Sequence, residues 1–380
     1  MARAVRVRGG RSVGCVVGAR PNFVKAAPVV QALIERGVDV RVLNTGQHYD
    51  RALAGNFIEQ LEMPWPEHDL GVGSGSHAEQ TAAVLVGMER LLVTDTPDAL
   101  IVVGDVNSTL GAALVAAKLG VPIAHVESGL RSGDWSMPEE VNRVLTDRLS
   151  DLLLCHCAEA VENLLAEGIG GDRVALVGNT MIDSLFRLIP SARARKAVER
   201  HELEPSNYLL VTLHRPALVD DPARLAAVVR TLADLAETLP VVFPLHPRTR
   251  ARMDSAELPL ERLVLTEPLD YLDFVALQSS ARLVVTDSGG VQEETSALGV
   301  PCLTYRDNTE RRVTIDLGTN RLVGVDPAAL ARAAAEELAR PRESVRPIPL
   351  WDGQAGERAA DAVVALLDRR DDTWQRSHAA

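Results

Sequence analysis

The sequence predicts an α/β protein of two doubly wound domains, each built on a parallel sheet. Three observations support this prediction. Short β-branched apolar runs alternate with helical segments along the whole chain, which is the pattern of parallel α/β architecture. The length of 380 residues and the hydrophobic content of 46% suffice for about two domains with separate cores. The same succession of strands and helices occurs twice, once in each half of the chain.

The individual apolar runs justify the strand prediction. Those of the first half read SVGCVVGA, VDVRVLNTG, ALIVVGD, VPIAHVE, DLLLCHC and RVALVGN. Those of the second half read NYLLVTLH, PVVFPLH, RLVLTEP, ARLVVTD, VPCLTY and NRLVGV. The surface segment SARARKAVERHELEPS lies between the two sets, so the first domain is predicted to cover residues 1–178 and the second residues 179–355.

Charge and hydropathy exclude several classes of function. The formal net charge of −12 makes nucleic acids and anionic membranes poor partners. No apolar stretch approaches the length of a membrane-spanning helix. The N-terminal run VGCVVGA is short and continues into RPNFVK without a cleavage-like site, which predicts a cytoplasmic protein. No metal-ligand cluster, P-loop or dinucleotide fingerprint is visible, so neither a metal nor a cofactor is expected.

Several polar residues fall at or just after the C-terminal ends of the apolar runs, and in open α/β sheets that edge is where ligands bind. These residues are Arg20, Gln47, Asp105, Glu127, His214, His246 and Ser288. Two such edges facing each other would form a deep cleft, so we expect the ligand site between the two domains.

Three carboxylates of the first half are candidates for acid/base chemistry. Asp105 and Glu127 each end a predicted strand, and Glu139 opens a helix directly after Pro138. Ordinary explanations also exist, since Asp105 can support a helix cap and Glu139 can interact favourably with the helix dipole. A cluster of carboxylates, however, raises the pKa of at least one member and so supplies groups for proton transfer.

The stretch TDSGGVQEE predicts a phosphate site. Ser288, Gly289 and Gly290 open a helix directly after a buried strand, so the first backbone N–H groups can bind an anion and the glycines let it approach. Glu293 and Glu294 follow, and either is suitably placed for ribose hydroxyl groups. An ordinary turn between a strand and a helix would have the same residues.

Basic residues and one histidine extend the predicted anion site. The segment TLHRP places His214 and Arg215 at the edge of the second domain, where they can bind and protonate a diphosphate. GARPNFVK supplies Arg20 and Lys25 in the first domain. The segment RDNTERR adds three further candidates for phosphate contacts, Arg306, Arg311 and Arg312.

These residues lie within long motifs that resemble the non-hydrolysing UDP-N-acetylglucosamine 2-epimerases. The motifs are GARPNFVKAAPVV, NTGQHYD, VGDVNSTLGAALVA, HVESGLRSGD, PEEVNR, VGNTMID, TLHRP, TDSGGVQEETSALGVPCLTYRDNTER and GTNRLVG. The resemblance extends from about residue 18 to about residue 365. It implies the GT-B fold, in which two Rossmann-like domains face a central cleft. It also implies that ERAADAVVALLDRR forms a final helix at about 356–370 that joins the first domain.

The resemblance further implies a reaction and a role for each residue. UDP-GlcNAc and UDP-ManNAc would interconvert through elimination of UDP to 2-acetamidoglucal and readdition with C2 inverted, in a homodimer. Asp105, Glu127 and Glu139 would be the catalytic carboxylates and His214 the catalytic histidine. The other implied contacts are Ser288, Gly289 and Gly290 at the diphosphate, Glu294 at the ribose, and Arg20 and Arg311 at the phosphates.

A second, activating UDP-GlcNAc site, implied by the resemblance to bacterial members of the family, is expected to be incomplete here. Gln47, Arg215 and His246 match it, but Asp50 replaces one glutamine and Gly75 lies near the place of another. A carboxylate repels a diphosphate, so the sequence predicts hyperbolic rather than sigmoidal kinetics.

Other functions remain open at this level. A hydrolysing relative would release free N-acetylmannosamine, and another epimerase would act on a modified UDP-sugar such as a diacetamido uronate. A GT-B glycosyltransferase would share the nucleotide site but would not need the carboxylates. A non-catalytic UDP-sugar sensor would not need to retain all of Asp105, Glu127, Glu139 and His214.

Overall fold

The computed structural model describes residues 11–46, 58–245, 247–253, 258–341 and 346–378. Spatial contacts divide the chain into two compact units. The first unit comprises Met1–Ser184 and Pro349–Ala380, and the second comprises Leu185–Ile348. The domain limits predicted from the sequence lie close to this division and remain a prediction.

Parallel strands form the sheet of the first unit, in the order β3-β2-β1-β4-β5-β6-β7. Every residue of β1, β4 and β5 is buried, as expected for central strands with helices on both faces. The strands are β1 (Ser12–Val17), β2 (Asp39–Asn44), β3 (His68–Asp69), β4 (Ala99–Val103), β5 (Ile123–Ser128), β6 (Leu152–Cys155) and β7 (Val174–Leu176). All were predicted except β3, whose two residues are too few to show an alternating pattern.

The helices of the first unit follow its strands. They are α1 (Arg20–Glu35), α2 (His77–Thr94), α3 (Asn107–Leu119), α4 (Pro138–Leu149) and α5 (Ala158–Ala166), and α6 (Thr180–Ala194) continues into the second unit. A capping box starts α2, in which Ser76 and Glu79 each accept a hydrogen bond from the backbone N–H of the other. Gly120 ends α3 in the left-handed conformation that glycine adopts at low cost.

The second unit has a parallel sheet of its own, in the order β10-β9-β8-β11-β12-β13. All of its strands match predicted runs. They are β8 (Leu209–Thr212), β9 (Val241–Pro244), β10 (Val264–Thr266), β11 (Leu283–Thr286), β12 (Cys302–Thr304) and β13 (Asn320–Leu322). The helices are α7 (Ala197–Arg200), α8 (Pro216–Val219), α9 (Pro222–Leu235), α10 (Pro247–Met253), α11 (Tyr271–Ser280), α12 (Gly289–Leu298), α13 (Val313–Asp316) and α14 (Pro327–Ala339).

Each sheet reverses its strand order at one point. In the first sheet the reversal lies between β1 and β4, and in the second it lies between β8 and β11. The loops that follow the two central strands lead to helices on opposite faces of the sheet, which leaves a crevice at their carboxyl ends. Ligands of doubly wound folds bind at such a switch point, so these two edges are where a site is expected.

The last helix, α15 (Ala355–His378), packs on α1 within the first unit. A Cβ atom on Gly356 would lie 2.6 Å from the Cβ atom of Pro28, so only glycine permits this approach. The final helix was predicted at about 356–370, and α15 spans that range and extends further. No helix in the described part of the chain is both long and apolar enough to cross a membrane.

Candidate active site

Asp105 lies directly after β4, at the switch point of the first sheet. Gly104 before it has a φ of +67°, which turns the chain sharply at the end of the strand. The Asp105 carboxylate accepts a hydrogen bond from Arg143 Nη2 at 2.5 Å, and its backbone carbonyl accepts one from Asn142 Nδ2 at 2.9 Å. Both donors belong to α4, so this helix fixes the carboxylate and the turn that carries it.

Glu127, in the neighbouring strand β5, has a strained backbone. Its φ of +68° lies in the left-handed region, which costs a non-glycine residue about 1 kcal/mol or more. The pairing of β5 with β6 is irregular here, with a register shift between Val126 and Ser128. Packing must hold the buried glutamate against its preferred conformation, and such strain is typical of functional sites.

The carboxylate of Glu127 pairs with Lys25 Nζ at 2.7 Å, and both side chains are buried. A Cβ atom on Gly104 would lie 3.7 Å from Lys25 Nζ and 4.0 Å from Glu127 Oε1. The turn that carries Asp105 is therefore adjacent to the Glu127 carboxylate. Lys25, predicted as a substrate-binding residue, lies beside this candidate acid/base group.

Glu139 and Glu140 both open α4 but have different surroundings. Glu139 is exposed, whereas Glu140 is buried. Glu140 accepts hydrogen bonds from the backbone N–H groups of Ser132 and Gly133, at 3.0 and 2.9 Å, and pairs with Arg143. Burial alone would raise the pKa of Glu140, but these hydrogen bonds and the arginine outweigh it and lower the pKa. Glu140 thus fastens the loop before α4, while Glu139 faces solvent.

Arg20 is the first residue of α1 and is exposed at the same switch point. The Asn22 side chain ties the ends of the two central strands together there. It accepts hydrogen bonds from the backbone N–H groups of Gly18 and Ala19 and donates one to the carbonyl of Val103 at 2.9 Å. Arg20 therefore starts from a fixed backbone position next to the turn after β4.

In the second unit, His214 and Arg215 follow β8, and Asp287 follows β11 on the other side of the switch point. Buried Asp287 accepts hydrogen bonds from the backbone N–H groups of His214 and Arg215 at 2.9 and 2.8 Å. His214 Nδ1 lies 2.9 Å from the other oxygen of this carboxylate. The contact favours a proton on Nδ1, which leaves Nε2 as the ring atom for chemistry.

The start of α12 combines backbone N–H groups with a guanidinium group. Ser288 is the N-cap, and among the described residues its hydroxyl makes no capping hydrogen bond. A Cβ atom on Gly289 would lie 2.5 Å from Arg311 Nη1. Because residue 289 is glycine, the Arg311 guanidinium can lie against the start of α12. The positive charge of Arg311 there adds to the partial positive charge of the helix N-terminus. Gly290 is the second residue of the same helix.

The two adjacent glutamates of α12 have different neighbours. Glu293 is fully buried, and one of its carboxylate oxygens lies 3.1 Å from Arg311 Nε. Glu294 accepts a hydrogen bond from the hydroxyl of Tyr271 at 2.6 Å. Because Glu293 is engaged by a cation, Glu294 is the better placed of the two to accept from ribose hydroxyl groups.

Arg215, Arg306 and Arg311 influence one another electrostatically. Glu310 pairs with both Arg306, at 2.9 Å, and Arg311. Burial and the nearby charge of Arg306 nevertheless lower the pKa of Arg215. The carboxylates of Glu310 and Asp287 oppose this shift. Arg312, also predicted from the sequence, is exposed.

Three predicted residues, Gln47, Asp50 and His246, lie outside the described residues. The prediction about the second substrate site, which depends on them and on exposed Gly75, therefore stays a prediction.

Sequence analysis missed three side chains that hold candidate residues in place. They are Arg143 beside Asp105, Asp287 beside His214, and Tyr271 beside Glu294. Arg143 and Asp287 stand inside the quoted motifs PEEVNR and TDSGG, so their charge next to other charged candidates was an available signal. Tyr271 lies outside every motif and gave no signal.

The family model for UDP-N-acetylglucosamine 2-epimerases matches residues 31–364 of the chain. The UDP-N-acetylglucosamine 2-epimerase of Methanocaldococcus jannaschii is 39% identical over 353 residues, which span 90% of this chain and 96% of that protein. The chain belongs to the UDP-N-acetylglucosamine 2-epimerase family. The family resemblance inferred from the motifs is thereby confirmed.

One further relative and the crystal structure of the M. jannaschii enzyme carry information on substrate and fold. The UDP-2,3-diacetamido-2,3-dideoxy-D-glucuronate 2-epimerase of Pseudomonas aeruginosa is 38% identical over 92% of this chain and 99% of that protein. The crystal structure of the M. jannaschii UDP-GlcNAc 2-epimerase in complex with UDP-GlcNAc and UDP superposes with a TM-score of 0.86 at 38% identity, covering 93% of this chain and 99% of that one. The predicted GT-B type of fold, with two Rossmann-like sheets, is confirmed.

Proposed function

We propose that this protein is a UDP-N-acetylglucosamine 2-epimerase, an isomerase that interconverts UDP-GlcNAc and UDP-ManNAc. The observation that carries the proposal is the pair of carboxylates, Asp105 and Glu127, at the ends of adjacent parallel strands in a member of this family. The complex of the M. jannaschii relative with UDP-GlcNAc and UDP supports the substrate class.

The proposed epimerisation proceeds by elimination and readdition of UDP, without oxidation or reduction. In the first half, the bond between C1 and the diphosphate oxygen breaks with its electron pair leaving on UDP, and a carboxylate takes the proton from C2. The C1–C2 double bond of 2-acetamidoglucal results. In the second half, a protonated carboxylate delivers a proton to the opposite face of C2 while UDP adds back at C1. Loss of UDP creates positive charge next to C2, which makes its proton removable.

The acid/base roles fall to carboxylates of the first unit, because the two faces of C2 need two different groups. Asp105 and Glu127 each face a cation, Arg143 and Lys25. In either direction of the reaction one carboxylate accepts the C2 proton and a second, protonated carboxylate supplies the proton to the opposite face. Exposed Glu139 at the start of α4 is the third candidate.

The nucleotide roles fall to the second unit. The N-terminus of α12 with Gly289, Gly290 and Arg311 offers N–H groups and positive charge to the diphosphate. Glu294 accepts from the ribose. His214, oriented by Asp287, stabilises the departing diphosphate as preorganised charge.

Incubation with UDP-GlcNAc in deuterium oxide, followed by NMR, tests the proposal. We expect deuterium at C2 in a mixture of UDP-linked epimers, without added nicotinamide or metal. Product that keeps its original C2 hydrogen would contradict the elimination. Release of free N-acetylmannosamine would identify a hydrolysing enzyme instead.

A second candidate substrate is a UDP-diacetamido uronic acid. It is supported by the 38% identity to the P. aeruginosa epimerase of that sugar, close to the 39% identity of the first relative. The same NMR assay with both nucleotide sugars, compared by kcat/KM, decides between them. A higher value for UDP-GlcNAc supports our proposal.

We also infer a cytoplasmic homodimer with no nucleic-acid or membrane partner. Helix α2 supports the dimer, since Val86 and Val93 are 49% and 65% exposed and lie seven residues apart on one face. Light scattering with size-exclusion chromatography should give twice the mass of one chain, and Val93→Glu should shift it toward the monomer.

A further inference from the structure

His125 is a fully buried residue of β5 that the proposed mechanism does not use. Its Nδ1 atom lies 2.7 Å from Asp147 Oδ1 on α4, and its Nε2 atom lies 2.8 Å from the backbone carbonyl oxygen of Gly104. Gly104 directly precedes Asp105, and His125 itself lies two residues before Glu127. One ring therefore bridges the segments that carry the candidate carboxylates.

The hydrogen-bond partners determine the protonation of this ring. A backbone carbonyl oxygen can only accept a hydrogen bond, so Nε2 must donate. An ionised carboxylate can also only accept, so Nδ1 must donate as well. With both ring nitrogens donating to oxygen acceptors, these hydrogen bonds point to an imidazolium cation inside the first unit.

Asp147 is held in its ionised form by its surroundings. Burial would raise the pKa of Asp147, but the hydrogen bond and charge of His125, together with Arg131, outweigh it and lower the pKa. Its second oxygen lies 2.7 Å from Arg131 Nη1 and accepts a hydrogen bond from the backbone N–H of Gly129 at 3.1 Å. Arg131 pairs in turn with Glu167 at 2.6 Å. The two cations and two carboxylates balance.

The geometry points to a positioning role for His125. As a buried imidazolium it links the turn after β4 at Gly104 to Asp147 on α4, and Asp147 holds Gly129 in the turn after β5. This link fixes the distance between Asp105 and Glu127. The inference rests on the proposed function, because the two carboxylates are there the proton-transfer groups.

Two amide variants separate the two halves of the link. In His125→Gln the side-chain amide nitrogen takes the place of Nε2 and can still donate to the Gly104 carbonyl. In His125→Asn the amide nitrogen takes the place of Nδ1 and can donate only to Asp147. Both variants remove the positive charge of the ring.

The expected result is a difference in turnover between the two variants. His125→Gln should keep kcat within about ten-fold of wild type, whereas His125→Asn should lose about 100-fold, the scale of an ångström-sized misplacement of catalytic groups. UDP affinity, measured by calorimetry, should be unchanged in both. Equal kcat values for the two variants would overturn the positioning role.

A core variant controls for lost stability. Met88→Ala removes a fully buried side chain of α2, a helix that carries none of the candidate carboxylates. Its unfolding free energy should fall at least as far as that of His125→Asn, while its kcat stays close to wild type. A parallel loss of kcat in Met88→Ala would attribute the His125→Asn effect to instability and so overturn the inference.

NMR of the wild-type protein tests the cation independently of turnover and of variants that fail to fold. With 15N-labelled histidine, a slowly exchanging ring should keep both N–H protons at about pH 8, because both donate to oxygen acceptors. A deprotonated nitrogen in every ring at that pH would overturn the imidazolium assignment. Wild-type protein that lacks C2 exchange but shows the protonated ring would refute the proposed function and leave the buried cation established.

Discussion

The switch points of the two sheets have the same topology but opposite charge arrangements. In the first unit, carboxylates lie at the ends of β4 and β5, and single cations, Arg143 and Lys25, pair with them. At β8 and β11 of the second unit, arginines and a helix N-terminus gather, and carboxylates pair with them. Arg20 and Asp105 in the first unit, and His214 and Ser288 in the second, lie at the reversal of strand order.

The opposite charges of the two switch points show that one architecture can supply two kinds of chemistry. Doubly wound sheets provide a crevice at a fixed place, and the residue types in the loops determine its use. Carboxylates with one cation each suit proton transfer, whereas arginines near free backbone N–H groups suit a diphosphate. We refer to the strand ends at Asp105 and Glu127 as the first edge, and to those at His214 and Ser288 as the second edge. Variants at the first edge should therefore change turnover, and variants at the second edge should change nucleotide affinity.

The largest expected effect comes from the first edge. Asp105→Asn and Glu127→Gln should each lower kcat by about 10²- to 10⁴-fold, because an amide cannot exchange a proton with C2. Calorimetry should show unchanged UDP affinity. Asp98→Asn is the matched control, since Asp98 accepts a hydrogen bond from the Ser12 backbone at the opposite end of the same sheet. A comparable loss of kcat in that control would contradict the assignment.

Glu139 and Glu140, adjacent at the start of α4, allow a catalytic role to be distinguished from a structural one. Glu140→Gln should cost about 3–5 kcal/mol of unfolding free energy, because it leaves buried Arg143 without its full charge balance. Because the folded pKa of Glu140 is lowered, its contribution is present above its unfolded pKa and disappears as the pH falls below the folded value.

Glu139→Gln should leave the denaturation midpoint unchanged and lower kcat, as expected for an exposed acid/base group. Urea titrations and initial rates on both variants provide the check. Normal turnover in Glu139→Gln would reduce Glu139 to a helix-start residue with a favourable dipole interaction.

The second edge should respond to Gly289→Ala with weaker nucleotide binding. A Cβ atom there would displace the Arg311 guanidinium from the start of α12. Loss of one charge-assisted hydrogen bond costs about 1.5–3 kcal/mol, so the Kd for UDP should rise about 10- to 100-fold. Gly171→Ala, where the added atom meets only Leu165 at 3.7 Å, controls for the backbone effect of alanine. Unchanged UDP affinity in Gly289→Ala would refute the role of this helix start.

The smallest effect should come from a carboxylate of the first unit away from its switch point. Asp183 is buried and accepts a hydrogen bond from the Gly356 backbone at 2.7 Å, and burial raises its pKa to about 6. The folded state thus favours the protonated form, so stability from this group is present below its unfolded pKa and is lost as the pH rises through about 6.

Asp183→Asn should abolish this dependence. The unfolding free energy of wild type relative to the variant should fall by on the order of 1 kcal/mol between about pH 4 and about pH 7. Urea titrations at the two pH values measure it. A relative stability that rises with pH would contradict the prediction, and a change in UDP affinity would show that Asp183 influences the second edge.

The strands were predictable because each one longer than two residues lies within an apolar run of the sequence. The two residues of β3 carry no pattern, and they pair with β2 only because the sheet edge is available. Asp105, Glu127 and His214 could be selected as candidates because polar residues at strand ends stand out against apolar runs.

The partners of these residues were harder to predict. Lys25 pairs with Glu127 across 102 positions of sequence, and Tyr271 reaches Glu294 across 23, distances over which the sequence carries no contact information. Sequence reasoning also treated Gly289 as space for a ligand, whereas in the fold the nearest atoms belong to Arg311.

The docking of α15 on α1 has a consequence for the order of events during synthesis. The whole second unit, Leu185–Ile348, is translated after α1 and before α15. At typical elongation rates of about 5–20 residues per second, this delay is on the order of ten seconds. The surface of α1 around Pro28 therefore stays uncovered for that time. Synthesis of the second unit ends before that of the first unit, because α15 belongs to the first unit. Nascent chains stalled before residue 355 should therefore bind chaperones through α1, and release of the full chain should end that binding.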